Sequence, residues 1–270
     1  YVDVKEVHKR RYLLKNCALE IFLLTGTTML FAFESERIRD EAYKAFLKSE
    51  LPNRIDYESS MSGSLIRKSV LDKWRSGKVS NFDYLMHLNT LAGRSFNDLT
   101  QYPVFPFVLA QYGAAELDLS DPASFRDFAA PMGAQDPGRL AKFEAKFEAL
   151  QQMHAEAPEP YYYGSHYSNI GSVLHFLVRV EPFTQFFIQF QGGCFDLPDR
   201  TFHSVAHTWR LSSSISTSDV KELIPEFYYF PEALINLNAC NFGRKQDGTP
   251  VDSVELPPWA RGSARTFVRR

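Results

Sequence analysis

The sequence predicts an α+β chain: a short head of two strands and a helix, then a large, mostly helical body with extended, irregular core segments. Three observations lead there. β-type apolar runs are confined to the residues before Glu34. After Ser80 apolar residues recur at helical spacing, as in Leu140, Phe143, Phe147 and Leu150. Tyr102-Pro103-Val104-Phe105-Pro106-Phe107 sets two prolines among aromatics, too apolar to be exposed and unable to form a helix interior or a central strand.

In order along the chain, Arg11-Tyr12-Leu13-Leu14 and Ala18 to Leu24 are β-prone, Gly26 punctuates, and Thr28 to Phe33 is a further apolar run; two antiparallel strands are expected. Ser35 is placed to cap a helix from Glu36 to about Ser49, with Ile38, Ala42, Ala45 and Phe46 on one face, ended by Pro52. Residues 53–66, rich in Ser and Asn, read as a linker. Ser80 and Asp83 stand at capping-box spacing ahead of Leu85, Leu88, Leu91 and Ala92, and Gly93 supplies a stop. Residues 102–107 should be buried extended backbone whose peptide groups need nearby polar partners, with Asn89, Arg94, Asn97, Asp98 and Gln101 within reach. Asp136-Pro137 opens a helix in cap-then-first-turn order. After a Pro-rich break at 158–160, Val173 to Val180 reads as a buried helix broken at Pro182 and resumed by Phe183, Phe186, Phe187 and Phe190 as a second buried half, stopping at Gly192-Gly193. Phe202, Val205, Ala206 and Trp209 mark another helix. The units expected are a head at 1–52, the linker at 53–66 and a body at 67–270.

Composition excludes several functions. The chain is 44% hydrophobic and 23% charged, which suits a folded core. Residues 1–80 carry 15 Lys+Arg against 11 Asp+Glu, and residues 81–270 carry 15 against 21, so a mildly basic head precedes an acidic body. That excess is too weak for nucleic-acid binding and suits contact between head and body. Cys17, Cys194 and Cys240 form no CxxC pair, which predicts a reduced, cytosolic compartment. No apolar run reaches the ~18 residues of a membrane span, and the start at Tyr1 shows no signal-peptide pattern; the chain looks cut from something longer.

No motif commits the chain to chemistry, and no cofactor or metal is expected. His203 and His207 lie at i and i+4 with Asp199 a turn earlier, a spacing open to a metal, yet HExxH is absent and a polar flank of the Phe202/Trp209 stripe is the plainer reading. Ser165 and His166 are adjacent without GxSxG, and no phosphate-cradling glycine loop occurs. Arg179 and Glu181 in apolar surroundings read as a buried ion pair, and with His166, Asp196, Glu222 and Glu226 as a polar framework for irregular backbone. Lys9-Arg10-Arg11 is a basic triplet for lipid headgroups or for an interdomain contact, in which Arg10 or Arg11 should approach acidic residues of the body. Lys9, Arg10, Arg11, Asn89, Arg94, Asp98 and Tyr102 are the candidate interdomain or partner-binding residues.

The segments from Asn81-Phe82-Asp83-Tyr84-Leu85 and Leu88 to Ser95, through Gln101 to Pro106, Tyr163 to Ser168, Arg179 to Thr184, Gln191-Gly192-Gly193, Phe195-Asp196 and Asp219 to Phe227, to Leu256-Pro257-Pro258-Trp259-Ala260, resemble the BEACH domain family in its own order. Val7 to Leu51, with Arg10-Arg11-Tyr12-Leu13-Leu14, resembles the end of the PH-like barrel that precedes BEACH in these proteins. Both the neurobeachin type and the autophagy-linked FYVE/WD-repeat type are similar. Phe107 stands where the family usually has Trp, and Cys194 where a basic or polar residue is common. The resemblance implies that both domains are incomplete here, the chain stopping at Arg270 before the helical end of a BEACH domain. It also implies a cytoplasmic scaffold or adaptor, peripheral on endomembranes and without catalytic activity, acting through protein partners in vesicle trafficking, membrane dynamics or autophagy. The alternative is a peripheral adaptor that binds phosphoinositides, or makes weak lipid contact, through the PH-like part.

Overall fold

The computed structural model describes residues 2–49, 51–52, 60–153 and 159–270. Its head holds three strands, β1 Val4–Tyr12, β2 Lys15–Leu23 and β3 Thr28–Ala32, in an open antiparallel sheet of order β1-β2-β3. The expected pair becomes three because Val4 to Arg10 alternates onto the sheet as well. Leu13 and Leu14 are not strand residues: Tyr12 pairs with Lys15 and the two leucines form the turn, at φ 47° and 65°. A two-residue hairpin needs positive φ at both positions, which leucine adopts at a cost of about 1–2 kcal/mol each.

Ser35 caps α1, Glu36–Lys48, by accepting from the Ile38 amide. The buried stripe is Arg39, Ala42, Tyr43 and Phe46, while Ala45 faces out. It covers one sheet face, where Val4, Val7, Leu19 and Ile21 form a core with Tyr43. Successive side chains of a strand point to opposite faces, so His8, Arg10 and Glu20 lie on the other face, and all three are buried. Helix α2 runs Ser60–Arg75, so part of the expected linker is helical; residues 53–59 lie outside the described residues. Ser80 and Asp83 close the predicted cap of α3, Asn81–Leu91, whose Ala92 and Gly93 ending has positive φ at the glycine. The face of α3 differs from expectation: Leu88 and Leu91 are exposed, and Asn89 is buried, its amide satisfied by the Leu85 carbonyl. Residues 1–103 form one compact unit and 104–270 a second.

The second unit holds α4 Pro137–Gln152, α5 Ile170–Phe176, α6 Phe183–Phe190, α7 Val205–Arg210 and α8 Ala264–Arg269, which makes eight α-helices among the described residues. The predicted cap and first turn hold at α4, where Asp136 accepts from the Arg139 amide at 2.7 Å. The first residue of the expected break at 158–160 lies outside the described residues, as do 154–157 before it. Helix α5 is shorter than the expected 173–180 run, although Leu177 and Val178 beyond it are buried. α6 is amphipathic rather than wholly buried: Thr184 and Phe187 are inside, Phe186 and Phe190 outside. The last turn of α7 passes into a wide π-type turn over Leu211–Ile215.

Aromatic rings fill this core. Phe176 meets Phe202 edge-on at 5.2 Å and Phe227 at 4.9 Å. Each such ring contributes about 1.5–3 kcal/mol when fully buried. Phe105 and Phe107 are fully buried in extended backbone, as the proline-aromatic pattern predicts. Their amides find separate acceptors: Phe105 bonds the Leu223 carbonyl at 2.9 Å, and Phe107 bonds Glu222 Oε2 at 2.9 Å.

Candidate functional site

Two constellations concentrate the polar side chains. The first lies within residues 1–103, on the sheet face opposite α1. Glu20, 1% exposed, is held by Arg10 Nε at 2.7 Å from its own sheet. Ser95 Oγ donates to the same carboxylate, Asn97 Nδ2 reaches Glu20 Oε1 at 3.4 Å and Thr28 Oγ1 at 2.8 Å, and Gln101 Nε2 reaches the Arg11 carbonyl at 3.4 Å. A buried carboxyl group is tolerated only when its oxygens are paired or hydrogen-bonded, as those of Glu20 are.

The head therefore contacts the 95–101 segment, but with the polarity opposite to expectation. The buried acid belongs to the head, and the segment brings a hydroxyl and amides to it. Arg10 pairs with Glu20, and Arg11 donates to Asn16 at 3.1 Å, so within residues 1–103 the partners found for both lie in the head itself. Lys9 pairs with Asp40 at 3.1 Å and lies over Tyr43. Of the basic triplet Arg11 is exposed, Lys9 half-buried and Arg10 buried. Asn89, Arg94, Asp98 and Tyr102 organise the same region from inside: Arg94 donates to the Tyr102 carbonyl at 2.9 Å, and Asp98 caps the turn at Thr100. Glu20 and Ser95 escape motif reading. The signal for Glu20 was a lone charge inside the strand run Cys17-Ala18-Leu19-Glu20-Ile21.

The second constellation braces residues 104–270. Arg179, 1% exposed, donates Nε and Nη2 to the Asp252 carbonyl at 2.9 and 2.6 Å and Nη1 to the Phe202 carbonyl at 2.6 Å, with its guanidinium 4.8 Å over Phe242. Burial lowers its pKa to about 10. Glu181 is not its partner: it is exposed and accepts from Gln185. The expected ion pair is absent because carbonyls satisfy the cation without a second desolvated charge. Arg139, fully buried and unforeseen, does the same for Met132, Ser212 and Asp219. Glu222 binds Arg126 at 2.7 Å besides the Phe107 amide, and burial raises its pKa against the pull of Arg126. Glu226 is buried and accepts from Tyr229. Asp196 is half-buried beside Arg200. His166 is exposed and forms no part of the buried framework.

His166 instead lines a polar cleft of about 530 Å³ with His175, Arg200, His203, His207 and Lys221. The rings of His203 and His207 stack at 5.0 Å. Burial, with His203 and Arg210 nearby, lowers the pKa of His207. Among the described residues no group of three or more His, Cys, Asp or Glu is arranged to hold a metal ion, and no helix is long and apolar enough to cross a membrane.

The family model for the Beige/BEACH domain matches residues 72–270, and that for the PH domain associated with Beige/BEACH matches residues 1–47; the chain belongs to the BEACH family. It is 46% identical over 99% of its length to the human Lysosomal-trafficking regulator, covering 7% of that protein. It is 45% identical to the Arabidopsis thaliana BEACH domain-containing protein A2 and 44% to the mouse WD repeat- and FYVE domain-containing protein 4, in each case over 99% of the chain and 8% of the relative. The chain thus spans less than a tenth of these relatives' length.

Proposed function

We propose that this chain is the PH–BEACH module of a cytoplasmic scaffold or adaptor, peripheral on endomembranes, that acts in vesicle trafficking through protein partners and has no catalytic activity of its own. In this reading the head spans 1–52, a connection follows at 53–66, and the BEACH part begins at 67. The observation that carries it is the Glu20 seam. Arg10, Ser95 and Asn97 spend their polar groups on joining the head to the 95–101 segment within residues 1–103. The buried arginines likewise serve backbone carbonyls, not a reacting centre. The name of the lysosomal relative supports a trafficking process.

Of the candidate partner-binding residues, Arg11 is exposed and Lys9 and Arg94 are half-buried; Arg10, Asn89, Asp98 and Tyr102 are buried. A phosphoinositide role through Lys9, Arg10 and Arg11 has less support, since two of the three are engaged internally. The test replaces the endogenous full-length protein with a Glu20→Leu form. Expected are unpaired Arg10, loss of endomembrane association and altered lysosome size or number. Normal lysosomes and unchanged membrane association, with the seam shown to be open by hydrogen exchange at Ser95, would refute the proposal.

A further inference from the structure

The tip of the β1–β2 hairpin has no explanation in the fold. Residues 11–16 are all exposed, Leu13 by 62% and Leu14 by 87%, so neither leucine has core packing to gain. Both occupy left-handed backbone, where Asn-Gly would satisfy the turn without strain. Two strained, solvated leucines at a protruding point are therefore held for something outside the chain.

The surroundings of the tip say what. Arg11 and Lys15 flank the leucines, and neither forms an ion pair among the described residues. The nearest carboxylate in sequence on the adjoining segment, Asp98, is buried and turned to Thr100 and Gln101. Tyr12, an amphipathic ring of the kind found at membrane–water boundaries, stands at the base and is 38% exposed. Two leucines and one tyrosine fall far short of the ~800 Å² per partner that a specific protein interface takes. A bilayer accepts so small an apolar wedge, and anionic headgroups complement the two cations.

We propose that the hairpin tip is a membrane-inserting wedge: Leu13 and Leu14 enter the acyl boundary of an anionic bilayer, Tyr12 sits at headgroup level, and Arg11 and Lys15 contact lipid phosphates or serine carboxylates. The inference does not depend on the scaffold reading. It differs also from binding of a phosphoinositide through the basic triplet, because the leucines carry it.

The experiment is co-sedimentation of the chain with vesicles of phosphatidylcholine alone and of phosphatidylcholine and phosphatidylserine mixed two to one. A Leu13→Asn/Leu14→Gly variant removes the wedge while supplying the preferred turn residues, so it should melt no lower than wild type. Burial of one leucine is worth about a tenfold change in partition or more, so this variant should bind the mixed vesicles at least tenfold more weakly. Arg11→Ser/Lys15→Ser should abolish the preference for phosphatidylserine and its sensitivity to salt. Equal partition of wild type and the Asn-Gly variant would overturn the proposal. So would a wild type that remains in the supernatant, as expected if the tip seats in a protein pocket, or a fall in the variant's melting temperature, which would make the leucines part of the fold.

Discussion

Replacing Arg179 tests the central claim that buried guanidinium groups stand in for regular backbone pairing. Its removal orphans the Asp252 and Phe202 carbonyls, at about 1–3 kcal/mol each, and forfeits the contact with Phe242, about 0.5–2 kcal/mol. Against this, the native state already bears the cost of burying the charge. The fall in its pKa to about 10 corresponds to roughly 3 kcal/mol. With the cavity that the short side chain leaves added to these terms, Arg179→Ala should cost about 3–5 kcal/mol. Arg179→Met, which fills space and sheds the buried charge, should cost less. Arg179→Lys keeps the charge without the fork and should do no better than Met. For a unit of this size each kcal/mol moves the melting temperature by about 2–4 °C, so the alanine variant should melt roughly 6–20 °C lower by scanning calorimetry. Glu181→Ala, at an exposed site, should stay within about 0.5 kcal/mol of wild type. Equal losses from Glu181→Ala and Arg179→Ala would restore the ion pair and refute the reasoning, as would an Arg179→Ala shift below about 2 °C.

Two further outcomes follow from packing and burial. The His175 imidazole is held well below its ordinary pKa, first by burial and then by Lys221 and Arg179. The unfolded chain takes up a proton near pH 6.5 while the native state does not, so stability should be full above that pH and fall as pH drops from about 6.5 toward the native pKa; thermal melts between pH 8 and 5 should show it, with His175→Phe flattening the slope. A Cβ at Gly133 would lie 2.1 Å from Tyr163 Cε1, so Gly133→Ala should cost about 1–3 kcal/mol in denaturant unfolding, and Tyr163→Ser should recover part of it in the double variant.

What could be read from sequence was local. The caps at Ser35, Ser80 and Asp136 show because each involves a side chain and an amide three residues apart. Burial of Phe105 and Phe107 shows because proline removes the regular alternatives and aromatic area forbids exposure. The choice of partner did not show. Arg179 and Glu181, two positions apart in a buried stretch, suggest a pair, whereas the acceptors are carbonyls at 202 and 252. Arg10 next to an acidic body suggests attraction outward, whereas Glu20 in the adjacent strand was nearer. Periodicity misjudged α3 because its buried position is an asparagine whose polar group is satisfied within the helix, and hydropathy assigns no inward direction to such a residue. The leucines of the hairpin tip were assigned to a strand on propensity, which carries no information about where the chain must reverse.

The arginine braces also bear on synthesis. Arg179 leaves the ribosome 73 residues ahead of the Asp252 carbonyl, and Arg139 leaves 73 and 80 residues ahead of its acceptors at Ser212 and Asp219. The amide of Phe107 waits 115 residues for Glu222. At about 5–20 residues per second, a 73-residue wait separates the Arg179 guanidinium from its Asp252 acceptor by roughly 4–15 s, although the Phe202 carbonyl emerges earlier. Until those acceptors emerge, the aromatic segments of the second unit lack their native partners, the kind of exposure that favours association of incomplete chains. A chain stopped before residue 252 cannot complete the Arg179 brace, and one stopped before residue 212 completes neither brace.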